Sequence, residues 1–204
     1  AVARGYKYDP TSSEATSIVV RAAAPPYTGR WILDWDGDVR VFGVRVGDVS
    51  IAEANGIAMA SASAQARSTG KPLLLPPGQL YLDRPIDAQG ITRISGFGKI
   101  GSPQESIIYI TRTNTSGVTN LSAGATLENL HIRTLYYSYA KQSSSGSGVH
   151  GESSASGQTL RNIYIEGFPI GVNLSTFDSV LENVDVIASR PFVVGGGLTQ
   201  NTFV

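Results

Sequence analysis

Cysteine is absent from the 204 residues, so the chain offers neither a disulfide framework nor a thiolate metal site. A charge excess is absent as well. Sixteen basic and 16 acidic residues balance to a formal net charge of zero, whereas binders of nucleic acid or of membrane surfaces carry a basic excess. No apolar run approaches the ~18 residues that cross a bilayer. The start, Ala1-Val2-Ala3-Arg4-Gly5-Tyr6, lacks the apolar centre of a secretory leader. An extracellular protein beginning this way is expected to be processed, truncated or released by lysis. Charged residues are scarce at 16%, while glycine is plentiful at 23; many turns and few long helices follow. No residue pattern calls for a cofactor or a metal ion.

What is present is a six-residue pattern that recurs three times. It reads Leu127-Glu128-Asn129-Leu130-His131-Ile132, then Leu160-Arg161-Asn162-Ile163-Tyr164-Ile165, then Leu181-Glu182-Asn183-Val184-Asp185-Val186. The last two copies are 21 residues apart, and a period of about 20 with short apolar alternation marks a stack of similar β units. The first, fourth and sixth residues of each copy point inward. The third is always Asn, the non-glycine residue that best tolerates the left-handed conformation, so it suits a tight bend between two short strands. Stacked Asn amides can also bond to one another along the stack. The second and fifth residues face solvent, and Glu128, Arg161 and Glu182 form a column of alternating sign. A third strand recurs at Gly148-Val149-His150, Gly171-Val172-Asn173 and Val193-Val194-Gly195, with Val149, Val172 and Val194 spaced 23 and 22 residues apart. Three strands per period predict an all-β fold, a right-handed parallel β-helix, with three clear turns and one or two looser ones before them.

The earlier part of the chain predicts a lid for that stack. Residues 1–30, with Pro10, Pro25, Pro26 and Gly29, read as an irregular linker or docking segment. Residues 31–48 read as a β-hairpin: Trp31–Trp35, the turn signal Asp36-Gly37, then Val39–Phe42. Residues 49–204 form the helix-capped stack. Ser50-Ile51-Ala52-Glu53 has the form of a capping box. The stripe Ile51, Ala54, Ile57, Ala58, Ala62, Ala66 then predicts an α-helix over Ile51–Ser68, ended by Gly70 and Pro72.

Residues 28–100 read Thr28-Gly29-Arg30-Trp31, Asp36-Gly37-Asp38-Val39, Val41-Phe42-Gly43-Val44 and Gly47-Asp48. The helix follows, then Gly70-Lys71-Pro72-Leu73-Leu74-Leu75, Pro76-Pro77-Gly78 and Leu80-Tyr81-Leu82. This succession resembles the head of bacteriophage tailspikes in the pectate-lyase-like β-helix superfamily, with the short helix as the cap over the first turn. The start of that helix, Val49-Ser50-Ile51-Ala52-Glu53, departs from the acidic, threonine-rich start common in such proteins. The resemblance implies a homotrimer on the virion, outside the host cell, that binds a bacterial surface polysaccharide (capsule or O-antigen) and depolymerises it. It also implies attachment to the phage tail or an adaptor protein through the N-terminal segment, with no nucleic-acid partner, no membrane insertion and no cofactor. Such proteins usually carry more turns, so the chain is expected to be the N-terminal part of a longer β-helix, with catalytic residues beyond Val204 as well. A non-catalytic structural or receptor-binding virion module is the alternative, and a bacterial polysaccharide lyase a third reading.

The quoted motifs carry no catalytic residue, so candidates come from the outer face of the third strand column. His150 and Glu152 are the candidate catalytic pair, and Asn173 stands beside them on the next turn. Val149 follows Ile132 by 17 positions, where the later turns take seven or eight, and insertions into such stacks emerge as loops on the binding face. That loop brings Tyr136, Tyr137 and Tyr139, suited to stacking on sugar rings, and Lys141, suited to an acidic glycan. The same tyrosines would equally pack against the wall or a neighbouring copy. Hydrolysis needs two carboxylates; lysis of a uronate polymer needs a base and a neutralising cation. The sequence decides between neither.

Overall fold

The computed structural model describes residues 5–9, 19–21, 30–98, 100–135, 145–174, 178–194 and 202–203. The chain divides into two compact units, Ala1–Asp36 and Gly37–Val204. In the first, β1 (Gly5–Asp9), β2 (Val19–Arg21) and β3 (Arg30–Asp34) form an antiparallel sheet in the order β1-β3-β2, with Tyr6 opposite Leu33 and Val20 opposite Trp31. The segment expected to be an irregular linker therefore supplies two strands.

The hairpin expected over residues 31–48 is not formed. Its second arm, Val39–Phe42, winds into a 3-10 turn instead. The Asp38 carboxylate accepts from Arg40 N at 2.9 Å and from the Arg40 guanidinium at 2.6 Å, and Gly43, at φ 99°, closes the turn. A side chain that satisfies the amide two residues on favours a helical start over a ladder. Gly37 has the positive φ (112°) that its Asp-Gly signal predicts, but it serves a different contact. Leu74 N donates to its carbonyl at 2.9 Å, and a Cβ there would run into the Pro72 carbonyl.

Helix α1 spans Ala52–Thr69, one residue off its predicted bounds, and ends at Gly70 in the left-handed region. The capping box does not form. The Ser50 hydroxyl and amide both donate to Asp48 Oδ1, at 2.6 and 2.8 Å, in a preceding 3-10 turn, Val49–Ile51. Those bonds hold the Asp48 carboxyl below its usual range. The buried face is also rotated from the predicted stripe: Ala52, Asn55, Gly56, Met59, Ala62, Ser63 and Ala66 are buried, while Ile57 is 55% exposed. Small residues win that face because the end of the stack approaches so closely. A Cβ on Gly56 would collide with the Asp83 carboxylate. Asn55 accepts from Arg45 N and donates to the carbonyls of Arg45 and Tyr81, at 2.9, 2.9 and 3.1 Å, which ties α1 to the strand beneath it.

The strands that follow recur in a fixed order. The first set is β4 (Leu73–Leu74), β5 (Gly78–Leu82) and β6 (Ile86–Asp87); the second is β7 (Arg93–Ser95), β8 (Ser106–Ile110) and β9 (Val118–Leu121). Then come β10 (Thr126–Thr134) with β11 (Ser147–Gly151), β12 (Thr159–Glu166) with β13 (Ile170–Leu174), and β14 (Val180–Ile187) with β15 (Arg190–Val194), before β16 (Thr202–Phe203). All pairings among them are parallel and join each strand to its counterpart one period away. They make an eight-stranded sheet, which includes β5 and β8, and a five-stranded sheet ordered β15-β13-β11-β9-β6. The fold of this unit is thus mostly β, with parallel strands in two sheets and one helix. Long strands β10, β12 and β14 bend at Asn129, Asn162 and Asn183: before the bend β10 pairs with β7, after it with β8.

The bend has the predicted form. Asn129, Asn162 and Asn183 have φ of 56°, 52° and 52°. Asn162 Nδ2 donates to Asn129 Oδ1, and Asn183 Nδ2 to Asn162 Oδ1, each at 2.9 Å. Inward residues Leu80, Leu82, Ile108, Ile110, Leu130, Ile132, Ile163 and Ile165 are at most 1% exposed, each burial contributing ~1.5–3 kcal/mol. Gly117, Gly148 and Gly171 open the third column because a Cβ at each would strike Ile132, Ile165 or Val186. The third column differs from expectation in register: Val172 pairs with Phe192, and Val194 with Leu174. Only Ala188 and Ser189 separate β14 from β15, so β15 starts early. A shift of two residues keeps every side chain on its side, which is why the alternation survives. The outer charge column resolves into two pairs, Arg93 with Glu128 and Arg161 with Glu182, the latter at 2.6 Å.

Candidate functional site on the outer face of the second column

The corner between the first and second columns is not the same in every set. Glu128 lies level with Ser95 and Leu130 with Ser106, so residues 96–105 occupy the place that Asn129 fills alone one period later. This ten-residue loop, 96–105, is pinned at its base. Gly96 N donates to the Glu128 carbonyl (2.9 Å), Ser106 N to the Phe97 carbonyl (3.1 Å), and Phe97 N to Ser106 Oγ (2.8 Å). A Cβ on Gly96 would collide with the Asn129 carbonyl, so glycine alone permits the departure. A groove of about 460 Å³ lies beside the loop, lined by Gly98, Ile100, Asn129, Asn162, Asn183 and Asp185.

The outer face next to this groove holds two rows that cross β5, β8, β10, β12 and β14. The register aligns Gln79, Ile107, His131, Tyr164 and Asp185 in one row, and Tyr81, Tyr109, Arg133, Glu166 and Ile187 in the next. Successive outward residues of a strand share a face, so these rows form one patch. Tyr81 and Tyr109 stack with centroids 4.9 Å apart. The Arg133 guanidinium carbon lies 5.1 Å from the centre of the Tyr109 ring, a cation–π geometry. His131 meets Tyr164 edge-on at 4.7 Å.

His131 stands between two carboxylates. Nδ1 lies 3.5 Å from Glu105 Oε1, at the end of the loop, and Nε2 lies 3.2 Å from Glu166 Oε1. The side chains of Glu105, His131 and Glu166 are 15%, 11% and 12% exposed. Arg133 Nε sits 2.8 Å from the same Glu166 oxygen without a well-aligned acceptor for its N–H, so charge attraction rather than a directed bond holds that pair. An imidazole with a carboxylate at each nitrogen can relay a proton between them. A pair of carboxylates is the equipment of glycoside cleavage, and half-buried tyrosine faces suit sugar rings. The same contacts also tie β10, β12 and the end of the loop together across the outer face. The three donors do not converge on one point, and among the described residues no group of three or more His, Cys, Asp or Glu is placed to hold a metal ion.

Of the residues singled out in the sequence, His150 lies on β11, level with Asn173 on β13, both half-buried on the third column. Glu152 follows β11, with its amide on the Leu121 carbonyl (3.1 Å) and its carboxylate 3.4 Å from Ser122 Oγ. No hydrogen bond or ion pair joins His150 to Glu152 among the described residues. Tyr136, Tyr137, Tyr139 and Lys141 lie outside the described residues. Sequence reasoning passed over Glu105, His131, Arg133 and Glu166. The usable signal was the fifth position of each repeat together with the residue two further on, which gives His131-x-Arg133 beside Tyr164-x-Glu166.

No family model matches the chain, and no curated protein matches it. A solved structure, the crystal structure of the Agl-KA catalytic domain, is similar in fold, with a TM-score of 0.54 and 19% sequence identity. The match covers 76% of this chain and 31% of that one, so the chain spans about a third of that structure's length.

Proposed function

We propose that Gly37–Val204 is the leading part of a right-handed parallel β-helix capped by α1, within a phage tailspike that recognises and depolymerises a bacterial capsule or O-antigen polysaccharide. The fold half of this reading is supported by the strand order, the left-handed Asn corners and the 0.54 likeness to the Agl-KA catalytic domain. Its functional half is carried by one observation. Stacked Tyr81 and Tyr109, Arg133 and the Glu105–His131–Glu166 cluster form one patch alongside a 460 Å³ groove. An extended glycan lying along the stack would meet rings and polar groups at the ~4.8 Å strand spacing. In this reading Glu105 and Glu166 serve as acid and base, His131 carries the proton between them, and the tyrosines bind sugar faces. The unit Ala1–Asp36 joins the spike to the tail or an adaptor, and the working form is a homotrimer on the virion.

A second reading, a glycan-binding module without catalysis, is favoured by the engagement of Glu166 with both His131 and Arg133. The protein incubated with surface polysaccharide from its bacterial host separates the two. Polymer length is followed by size exclusion with light scattering, and ultraviolet absorbance reports any unsaturated lyase product. Shortening lost in Glu105→Gln and Glu166→Gln supports the enzyme, and binding without shortening supports the module. Absence of binding sinks both.

A further inference from the structure

We infer that Glu105 and His131 form a pH-dependent latch, which fixes the loop wall of the groove when the imidazole is charged and releases it when the ring is neutral. The latch stands on the contacts of the loop alone; its effect on a bound glycan rests on the reading above.

Glu105 joins the loop to the sheet. Its backbone is fixed: Gly78 N donates to its carbonyl at 2.8 Å, and its own amide donates to the Ser102 carbonyl at 3.1 Å. Its carboxylate divides between two partners. Oε2 accepts from the amide of Gly101, the neighbour of groove-lining Ile100. Oε1 lies 3.5 Å from His131 Nδ1. The other nitrogen of that ring, Nε2, lies 3.2 Å from Glu166 Oε1 on β12. A chain of contacts thus runs from the middle of the loop through Glu105 and His131 to Glu166.

The ring can hold both ends in one charge state only. A neutral imidazole has one N–H and one lone pair, so either tautomer donates to one carboxylate and turns a lone pair on the other. An imidazolium donates at both nitrogens. The Glu166 contact lies at the edge of the ~2.7–3.2 Å hydrogen-bond range, and the Glu105 contact lies beyond it. The loop's contact is therefore the one that needs the added proton. Among the described residues, the titratable and charged groups that face the ring are Glu105 from the loop, Glu166 and the edge-on Tyr164 from β12, and Arg133 from its own strand, through Glu166. Strand β8 presents Ile107, which does not titrate, and Asp185 of β14 stands beyond Tyr164. The latch is closed on the acid side of the imidazole transition and open on the alkaline side. The chain has two histidines, and the second, His150, stands on β11 in the five-stranded sheet.

The test follows both histidine rings and the loop amides by nuclear magnetic resonance from about pH 5 to 8, the span in which an imidazole changes charge. It compares the intact protein with His131→Gln and Glu105→Gln, with circular dichroism to check folding. The inference expects the Ile100 and Gly101 amides to shift with the midpoint of the His131 ring. It expects exchange protection at Gly101, corrected for the intrinsic effect of pH, to be about ten-fold higher on the acid side. His131→Gln should abolish that change, and Glu105→Gln, which keeps the shape without the charge, should shrink it to about two-fold. A His131 ring that keeps one charge state across the range overturns the inference, as does a loop that does not respond while the ring titrates. A response that persists in folded His131→Gln, or stays undiminished in folded Glu105→Gln, overturns it too. These readouts need no glycan, so failure of the latch is distinct from failure of the glycan reading.

Discussion

The strand sets make the same corner with three residues in the first, 75–77, ten in the second and one in each of the later three, and the contrast between the last two separates scaffold from site. In the later three sets one residue turns the chain: Asn129, Asn162 and Asn183, all near φ +55° and bonded into a ladder. In the second set ten residues, 96–105, do the same work. Both corners deliver the chain to the same register, because Ser106 and Leu130 still stand side by side. The regular corner spends its side chains on holding the stack together. The irregular corner holds itself by its base, Gly96, Phe97 and Ser106, and leaves Gly98 and Ile100 to line a groove. A stack that needs only one residue per corner can therefore carry an elaborate loop at another corner without losing its register.

The largest effect that would break this contrast lies in the ladder. Asn162→Ala forces Ala into the left-handed region, at ~1–2 kcal/mol, and removes both ladder bonds at ~1 kcal/mol each. About 3 kcal/mol should be lost in urea denaturation. Asn162→Gly keeps the conformation and should lose about half as much; equal losses would mean that the ladder, not the backbone, sets the corner. Next in size is Glu166→Gln, which strips the counter-charge from half-buried Arg133 and a carboxylate partner from His131; a loss of about 1–3 kcal/mol is expected, against under ~1 kcal/mol for Glu105→Gln, whose partner keeps Glu166.

A smaller effect sharpens the account of the capped end. The Asp83 carboxyl is held below its usual range, first by the Arg84 hydrogen bond and then by the charges of Arg84 and Arg112, against its burial. Its folded pKa thus lies below the ~3.9 of an unfolded chain. The stabilisation is complete above that value and is lost as pH falls through the folded pKa. Asp83→Asn should lower the melting temperature at neutral pH by the equivalent of about 1 kcal/mol, since both arginines are largely exposed, and the two curves should converge in acid. Parallel curves at all pH values would remove Asp83 from the cap. The smallest effect belongs to the loop: Phe97, 58% exposed, should be replaceable by Ser within about 0.5 kcal/mol.

The repeat, the strand order and the Asn corner are legible in the sequence because each depends on residues a few positions apart. Leu127-x-Asn129-Leu130-x-Ile132 carries its own alternation and its own bend. Gly70 likewise marks the end of α1 by local chemistry. The failures are of another kind. Ser50 reads as a cap until Asp48 claims its hydroxyl, and Ile57 reads as core until close packing at Gly56 and Asn55 turns the helix. The pair His150 and Glu152 follows from the outer face of the third column, but no hydrogen bond or ion pair joins the two among the described residues. The clustered set Glu105, His131, Arg133 and Glu166 spans four positions on two strands and a loop, and parallel register alone brings it together. Register is a property of the whole stack, and the ten-residue loop hides it by lengthening one period.

The most direct test of the account replaces residues 96–105 with a single Asn, which would extend the ladder by one rung, and compares thermal unfolding and polysaccharide binding with those of the parent. The account predicts a melting temperature within a few degrees of the parent and binding lost. An unfolded chain would contradict the claim that the corner is interchangeable, and undiminished binding would contradict the claim that the loop builds the site.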